Sequence, residues 1–148
     1  MDTYKILLGA HSGFRYIVLL LIALAFIQSL TGWLGQKKYT EGNRKINLFA
    51  MVSAHIQFLL GIILYFFSPF VRMDDMGGAM KDTISRYWTV EHAVMMLFAV
   101  VLFTVGHSRS KKISEAAGKH RSIAIFYGLG ALVVIVAILQ SGRPIIGS

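Results

Sequence analysis

The sequence predicts an all-α integral membrane protein, built as an up-down antiparallel bundle of four helices. Hydrophobic residues make up 55% of the 148 positions, charged residues 15%, and there are only 2 prolines. The apolar residues gather into long runs that are separated by short charged stretches. About 20 such residues cross ~30 Å of hydrocarbon as a helix. This composition excludes a disordered segment and an ordinary soluble enzyme with a charged surface.

We place the four spans at about 5–34, 46–71, 86–107 and 121–141 of a single domain, 1–148. Strands are excluded because lipid does not tolerate unpaired backbone and the runs lack the alternation of a barrel. The first apolar run is longer than that of a signal peptide, so we expect it to be retained. Paired glycines in 76–79 predict a flexible turn in the middle link. Facing helices of such a bundle can build a cofactor site in its interior.

The distribution of charge predicts the orientation. Lysine and arginine dominate the links 36–45 and 108–121, whereas the link 72–86 balances acidic and basic residues. Cytoplasmic loops carry the excess of basic residues, so we expect a bacterial inner-membrane protein with both termini in the periplasm. The net charge of +8 then meets anionic lipid headgroups, and nucleic acid is excluded as a partner.

The histidines are the candidate functional residues. Of the 5 in the chain, His11, His55, His92 and His107 lie within or beside apolar runs. An ionisable residue inside a span is expensive and marks a functional site by default. Because the chain has no cysteine, thiolate metal sites and covalently attached c-type haem are excluded. Imidazole is the usual axial ligand of b-type haem, which needs no covalent attachment.

A bis-histidine haem needs two imidazoles at the same depth on facing helices. His11 and His92 lie close to the same end of the first and third spans, and we predict that they form such a pair. Arg15 and Arg86 at this end are candidate partners of the haem propionates.

A second haem is an open alternative. His107 shares a helix face with His92 and lies about 22 Å further along the axis. His55 is its candidate partner, although the two differ in depth by ~9 Å. Alternatively, His55 joins His92 or His11 at a single site, and His107 lies with His120 in the basic rim.

Several of these residues also have plain structural interpretations. Each histidine alone could be a hydrogen-bonded interior residue. Glu91 could orient an imidazole or carry a proton, or it could pair with Arg86 or Lys5 at the rim. Gly128 and Gly130 indicate either close helix packing or room beside a ring.

The chain resembles small bacterial four-span membrane proteins labelled cytochrome b. The similarity rests on four motifs, namely His11-Ser-Gly-Phe-Arg15-Tyr, His55-x-Gln57 followed by Leu-Leu-Gly61, Glu91-His92 with Met95-Met96, and Lys119-His120-Arg121. The resemblance implies a b-type haem bundle that works in electron transfer.

We therefore expect an electron-transfer protein rather than a stand-alone enzyme, with one or two haem b groups as cofactors. Its expected partners are membrane lipids, together with a quinone or quinol, a larger respiratory or redox complex, or a second copy of the chain. Two alternatives stay open: a non-redox accessory or assembly subunit of a membrane complex, and a non-haem metal-binding membrane protein with the ion held by His55, Glu91 and His92.

Overall fold

The computed structural model describes residues 3–67, 76–81, 86 and 90–140. It contains five helices in this part of the chain, α1 (Thr3–Leu34), α2 (Glu41–Phe67), α3 (Met76–Lys81), α4 (His92–Lys112) and α5 (Ala116–Gln140). All but the short α3 are long and apolar enough to cross a membrane. The predicted all-α bundle of four membrane-spanning helices is therefore confirmed.

The helices do not end where the apolar runs end. α2 begins at Glu41 rather than at 46, α4 continues to Lys112 rather than to 107, and α5 begins at Ala116 rather than at 121. The predicted bounds of the spans follow hydropathy alone. Lysine, arginine and glutamate are polar but good helix formers, so the helices continue beyond the hydrocarbon. The predicted positions 68–71, 87–89 and 141 lie outside the described residues.

The link between α1 and α2 is tightly built. Lys37 N–H donates to Gly32 O at 2.9 Å and Gln36 N–H to Trp33 O at 3.4 Å, with Gln36 at a φ of 49°. This is the Schellman pattern that ends a helix. α2 then begins with a reciprocal cap, because Asn43 N–H donates to Thr40 Oγ1 and Thr40 N–H donates to Asn43 Oδ1.

The middle link differs from the prediction. Residues 76–79, expected as a flexible turn, belong to the helix α3. Methionine, alanine and lysine around the two glycines are strong helix formers, and their propensity outweighs the glycine pair.

In the bundle, α1 packs against α2 and α5, and α4 packs against α5 and more lightly against α2. The core is formed by small and apolar side chains of all four long helices, including Val18, Ile22, Ala54, Ala99, Phe103 and Tyr127. Large apolar side chains such as Leu20, Phe49 and Phe98 point outward. A surface of this kind is suited to contact with lipid.

A buried polar cluster closes one end of the bundle, the end that carries the basic links 36–45 and 108–121 and is called the basic end below. Tyr127 Oη donates to Asn47 O at 2.7 Å, and Asn47 Nδ2 donates to Tyr39 Oη at 2.8 Å. Gln28 Nε2 donates to Asn47 Oδ1 at 3.0 Å and to Asn43 O at 3.0 Å. These bonds tie α1, α2, α5 and the first link together.

The glycines of α5 allow close helix packing. A Cβ added to Gly130 would collide with the ring of Phe103, and one added to Gly128 would lie 2.8 Å from Phe26 Cε2. Of the two interpretations of these glycines, the structure therefore shows close packing.

We predict that Gly130→Ala is less stable than Gly9→Ala by about 1–3 kcal/mol, since overpacking a filled core costs this much. Gly9 is the matched control because a Cβ there meets nothing within 4 Å. Thermal unfolding in detergent, followed by circular dichroism, measures the difference. Equal stability of the two variants would contradict the packing described here.

Candidate functional site

The bundle encloses a cavity of about 270 Å³ at the end opposite the basic end. Its lining comes from all four long helices and is almost entirely apolar, with Val18, Leu19, Phe58, Met96, Phe103 and Ile138 among the lining residues. The cavity has room because several of the residues of α2 and α4 that line it are small, namely Ala54, Gly61, Ala93 and Ala99. The cavity is open at one side rather than closed. The polar side chains in its wall are few and include two histidines and an arginine.

The structure brings His11 and His92 together in this cavity. Their ring centroids are 6.4 Å apart, and the ring planes meet at 82°. His11 lies on α1 and His92 is the first residue of α4, so they approach from two different helices. Both side chains are half-buried. Two imidazoles from different helices therefore line the same apolar space.

The two arginines of the predicted site differ in their surroundings. Arg15 lies one turn after His11, lines the cavity, and donates to the hydroxyl of Tyr16 at 3.1 Å. Arg86 pairs with Glu91, with 2.7 Å between Nε and Oε1. The pairing of Glu91 with Arg86 is one of the two rim pairings expected from the sequence. Arg15 is consequently the arginine in the cavity wall, and Arg86 already has a carboxylate partner.

His55 forms a bond between helices. Its Nε2 lies 2.8 Å from Thr104 Oγ1, and that hydroxyl donates to Val100 O at 2.7 Å. Because the hydroxyl has only one proton, it must accept from His55, so Nε2 carries the proton. An Nε2 engaged in this way is not available to a metal. His55 is therefore a hydrogen-bonded interior residue in this structure, which is the structural interpretation that the sequence allowed beside that of a ligand.

His107 and His120 lie near the basic end, and both are 1% exposed. His120 Nε2 is 3.0 Å from Lys38 O, so it binds the first link. Neither ring nitrogen of His107 has a hydrogen-bond partner in the described part of the chain. No ring contact joins His107 to His55 among the described residues, and the predicted second pair is not assembled there.

Two residues of α2 contact His11 that sequence reasoning did not single out for this role. Gln57 Nε2 donates to His11 O at 2.7 Å. Gly61 faces the ring, because a Cβ added there would lie 3.4 Å from Cε1 of His11. Their spacing of one helical turn was visible in the sequence, but apolar runs do not reveal which helix faces which.

Comparison with protein families, curated proteins and solved structures finds no match to this chain. Any function must therefore be argued from the cavity and its residues.

The two buried histidines of the basic end, His107 and His120, differ in their hydrogen bonding, and this difference can be tested. We predict that His107→Leu leaves stability unchanged or raises it by up to about 2 kcal/mol, because it removes buried polar atoms that have no partner. His120→Leu, the matched variant, should lose about 1–2 kcal/mol because it leaves Lys38 O without its bond. Thermal unfolding in detergent separates the two. If His107→Leu is the more destabilised, His107 has a stabilising partner that the described residues do not provide.

Proposed function

We propose that this protein is a membrane b-type cytochrome, in which His11 and His92 would hold one haem b. The observation that carries the proposal is the pair of imidazoles, with ring centroids 6.4 Å apart, in the wall of an apolar cavity between membrane-spanning helices.

The spacing of the rings is within reach of a shared metal. A metal–imidazole bond is ~2 Å long and the ring centre lies ~1.2 Å beyond the nitrogen, so two imidazoles that held one metal would have centroids at most about 6.4 Å apart. The donor set also favours haem over a bare ion. The described residues contain no group of three or more His, Cys, Asp or Glu side chains that could hold a metal. Two imidazoles leave a bare ion short of ligands, whereas a porphyrin supplies four nitrogens of its own.

The rest of the wall suits the same ligand. Apolar side chains of all four helices accommodate a flat hydrophobic ring, and Gly61 and Ala93 keep the space beside the imidazoles narrow but open. Arg15 supplies a permanent positive charge with a fork of donors that matches a carboxylate, as in a propionate. Arg86 is less suited to this role than predicted, since Glu91 already neutralises it. When bound, haem supplies reversible one-electron chemistry.

A single haem agrees better with the surroundings of the remaining histidines. His55 Nε2 is bound to Thr104, and His120 Nε2 to Lys38 O. Only His107 is left with both nitrogens unpartnered, and one imidazole does not make a bis-histidine site. The expected second pair, His55 and His107, stays an alternative that haem quantitation decides.

The basic links favour the bacterial inner membrane, with these links in the cytoplasm and both termini in the periplasm. The haem would then lie near the periplasmic surface. Electrons would pass between it and a quinol, a partner protein or a larger redox complex. Nothing in the cavity distinguishes these partners.

The first test is the spectrum of the purified protein. We expect a reduced-minus-oxidised difference spectrum of b-type haem, with about one haem per chain in the pyridine haemochrome assay. His92→Gln should lower the haem content at least ~10-fold, because it removes an axial ligand. His120→Gln is the control: it removes an imidazole that is buried more deeply than that of His92 but keeps a group that can donate to Lys38 O, and it should retain its haem.

Each rival function predicts a different result. A non-haem metal protein would give iron, zinc or copper in elemental analysis without porphyrin. An accessory subunit would give neither metal nor chromophore, and its association with a complex would survive the loss of His11 and His92. Either result would overturn the proposal.

The orientation has a separate test, which is simplified by the absence of native cysteine. A single cysteine at Lys112→Cys in the second basic link should be protected from a membrane-impermeant maleimide added to intact spheroplasts. A cysteine at Met80→Cys in α3 should react. The reverse pattern would invert the orientation.

A further inference from the structure

Helix α2 contacts His11 at two points that are one turn apart. Gln57 donates from Nε2 to the carbonyl oxygen of His11 at 2.7 Å. Gly61, four residues later, presents bare backbone to the ring, so that an added Cβ would lie 3.4 Å from Cε1 and 3.9 Å from Nδ1. Residues at this spacing share a helix face. The two contacts therefore act together, one on the backbone of His11 and the other on its side chain.

His11 receives little support from its own helix. The buried residues of α1 begin only at Val18, almost two turns beyond His11. The glycines on either side, Gly9 and Gly13, have open space where a Cβ would lie. Glycine also weakens a helix, by about 1 kcal/mol relative to alanine. The contacts from α2 therefore contribute to the position of His11.

The Gln57 amide has a defined orientation. Its partner is a carbonyl oxygen, which only accepts, so the NH₂ group must face His11. The bond connects the backbone of α1 at this residue to α2. Gly61 then decides how closely the ring can lie against α2.

We propose that Gln57 and Gly61 are positioning residues, which together hold the His11 imidazole in the orientation that opposes His92. This inference rests on the proposed function, since an axial ligand needs a fixed ring. A Cβ at position 61 would make an ordinary van der Waals contact with the ring, as at Gly42 with Thr40, so only the additional branches of a valine would push the ring toward the cavity. Loss of the Gln57 bond would let α1 shift and rotate at His11.

The experiment compares Gly61→Val and Gln57→Leu with wild type and with Gly42→Val. Gly42 lies on the same helix at the basic end, where an added Cβ would be 3.6 Å from Thr40 Oγ1, an ordinary contact. Haemin titration of the apoprotein, electron paramagnetic resonance of the oxidised form and CO binding by the reduced form are measured for each. Circular dichroism verifies that each variant is folded.

We expect Gly61→Val to weaken haemin binding ~10-fold or more, as is usual when a group that orients a metal ligand is lost. Gln57→Leu should retain haem but change the resonance g values, and its reduced form should bind CO more readily because His11 is released. Gly42→Val should behave as wild type. If Gly61→Val and Gln57→Leu both match Gly42→Val in affinity, g values and CO binding, the positioning role is overturned.

A second measurement separates this inference from the proposed function. In apoprotein carrying ¹³C,¹⁵N-labelled histidine, the His11 ring signals are assigned by their loss in His11→Gln. Gly61→Val should shift these signals and leave those of His120 in place. If wild type binds no haemin, the proposed function fails, and an unchanged His11 signal in Gly61→Val would independently overturn the contact that the inference depends on.

Discussion

Polar side chains inside a membrane bundle must find their partners within the protein, and this constraint organises the structure. Lipid offers no hydrogen bonds, so a buried amide or imidazole is stabilised only by a neighbouring helix. Such bonds connect the helices of this bundle. Gln28 of α1 donates to Asn47 of α2, and Tyr127 of α5 donates to the backbone oxygen of Asn47. His55 of α2 is bonded to Thr104 of α4. Because apolar contacts between helices are alike in lipid, these bonds specify which helix packs against which.

The bonds are distributed unevenly, and the bundle accordingly has a closed half and an open half. Amides and tyrosines fill the basic end, where Tyr127 and Asn47 are fully buried. The bond between His55 and Thr104 lies beside the floor of the cavity, since the neighbouring Ala54 and Phe103 line it. Beyond that level α2 and α4 are separated by the cavity. The polar cluster thus lies at one end of the bundle and the open cavity at the other.

The sequence predicts the helices well and their contacts poorly. Length and hydropathy are sufficient for four spans, and counting residues from the helix ends is sufficient to bring His11 near His92. The helix ends were missed by up to five residues at Glu41 and Ala116, because hydropathy follows the lipid boundary and not the backbone. The partners of His11 were missed for a different reason. Nothing in an apolar run indicates that Gln57, rather than another polar residue, faces α1.

The packing of α4 against α5 distinguishes the surroundings of the two histidines of α4, His92 and His107. At the level of His107 and Phe103, these helices approach closely: Gly130 lies against Phe103, Gly106 against Phe126, and the rings of Phe103 and Tyr127 are 5.4 Å apart. Close-packed rings and glycines fill the space between these two helices. At the level of His92, by contrast, the lining includes small residues, namely alanines and Gly61, and the space between the helices stays open as the cavity. Of the two histidines that α4 carries, His92 therefore lines the cavity and His107 does not.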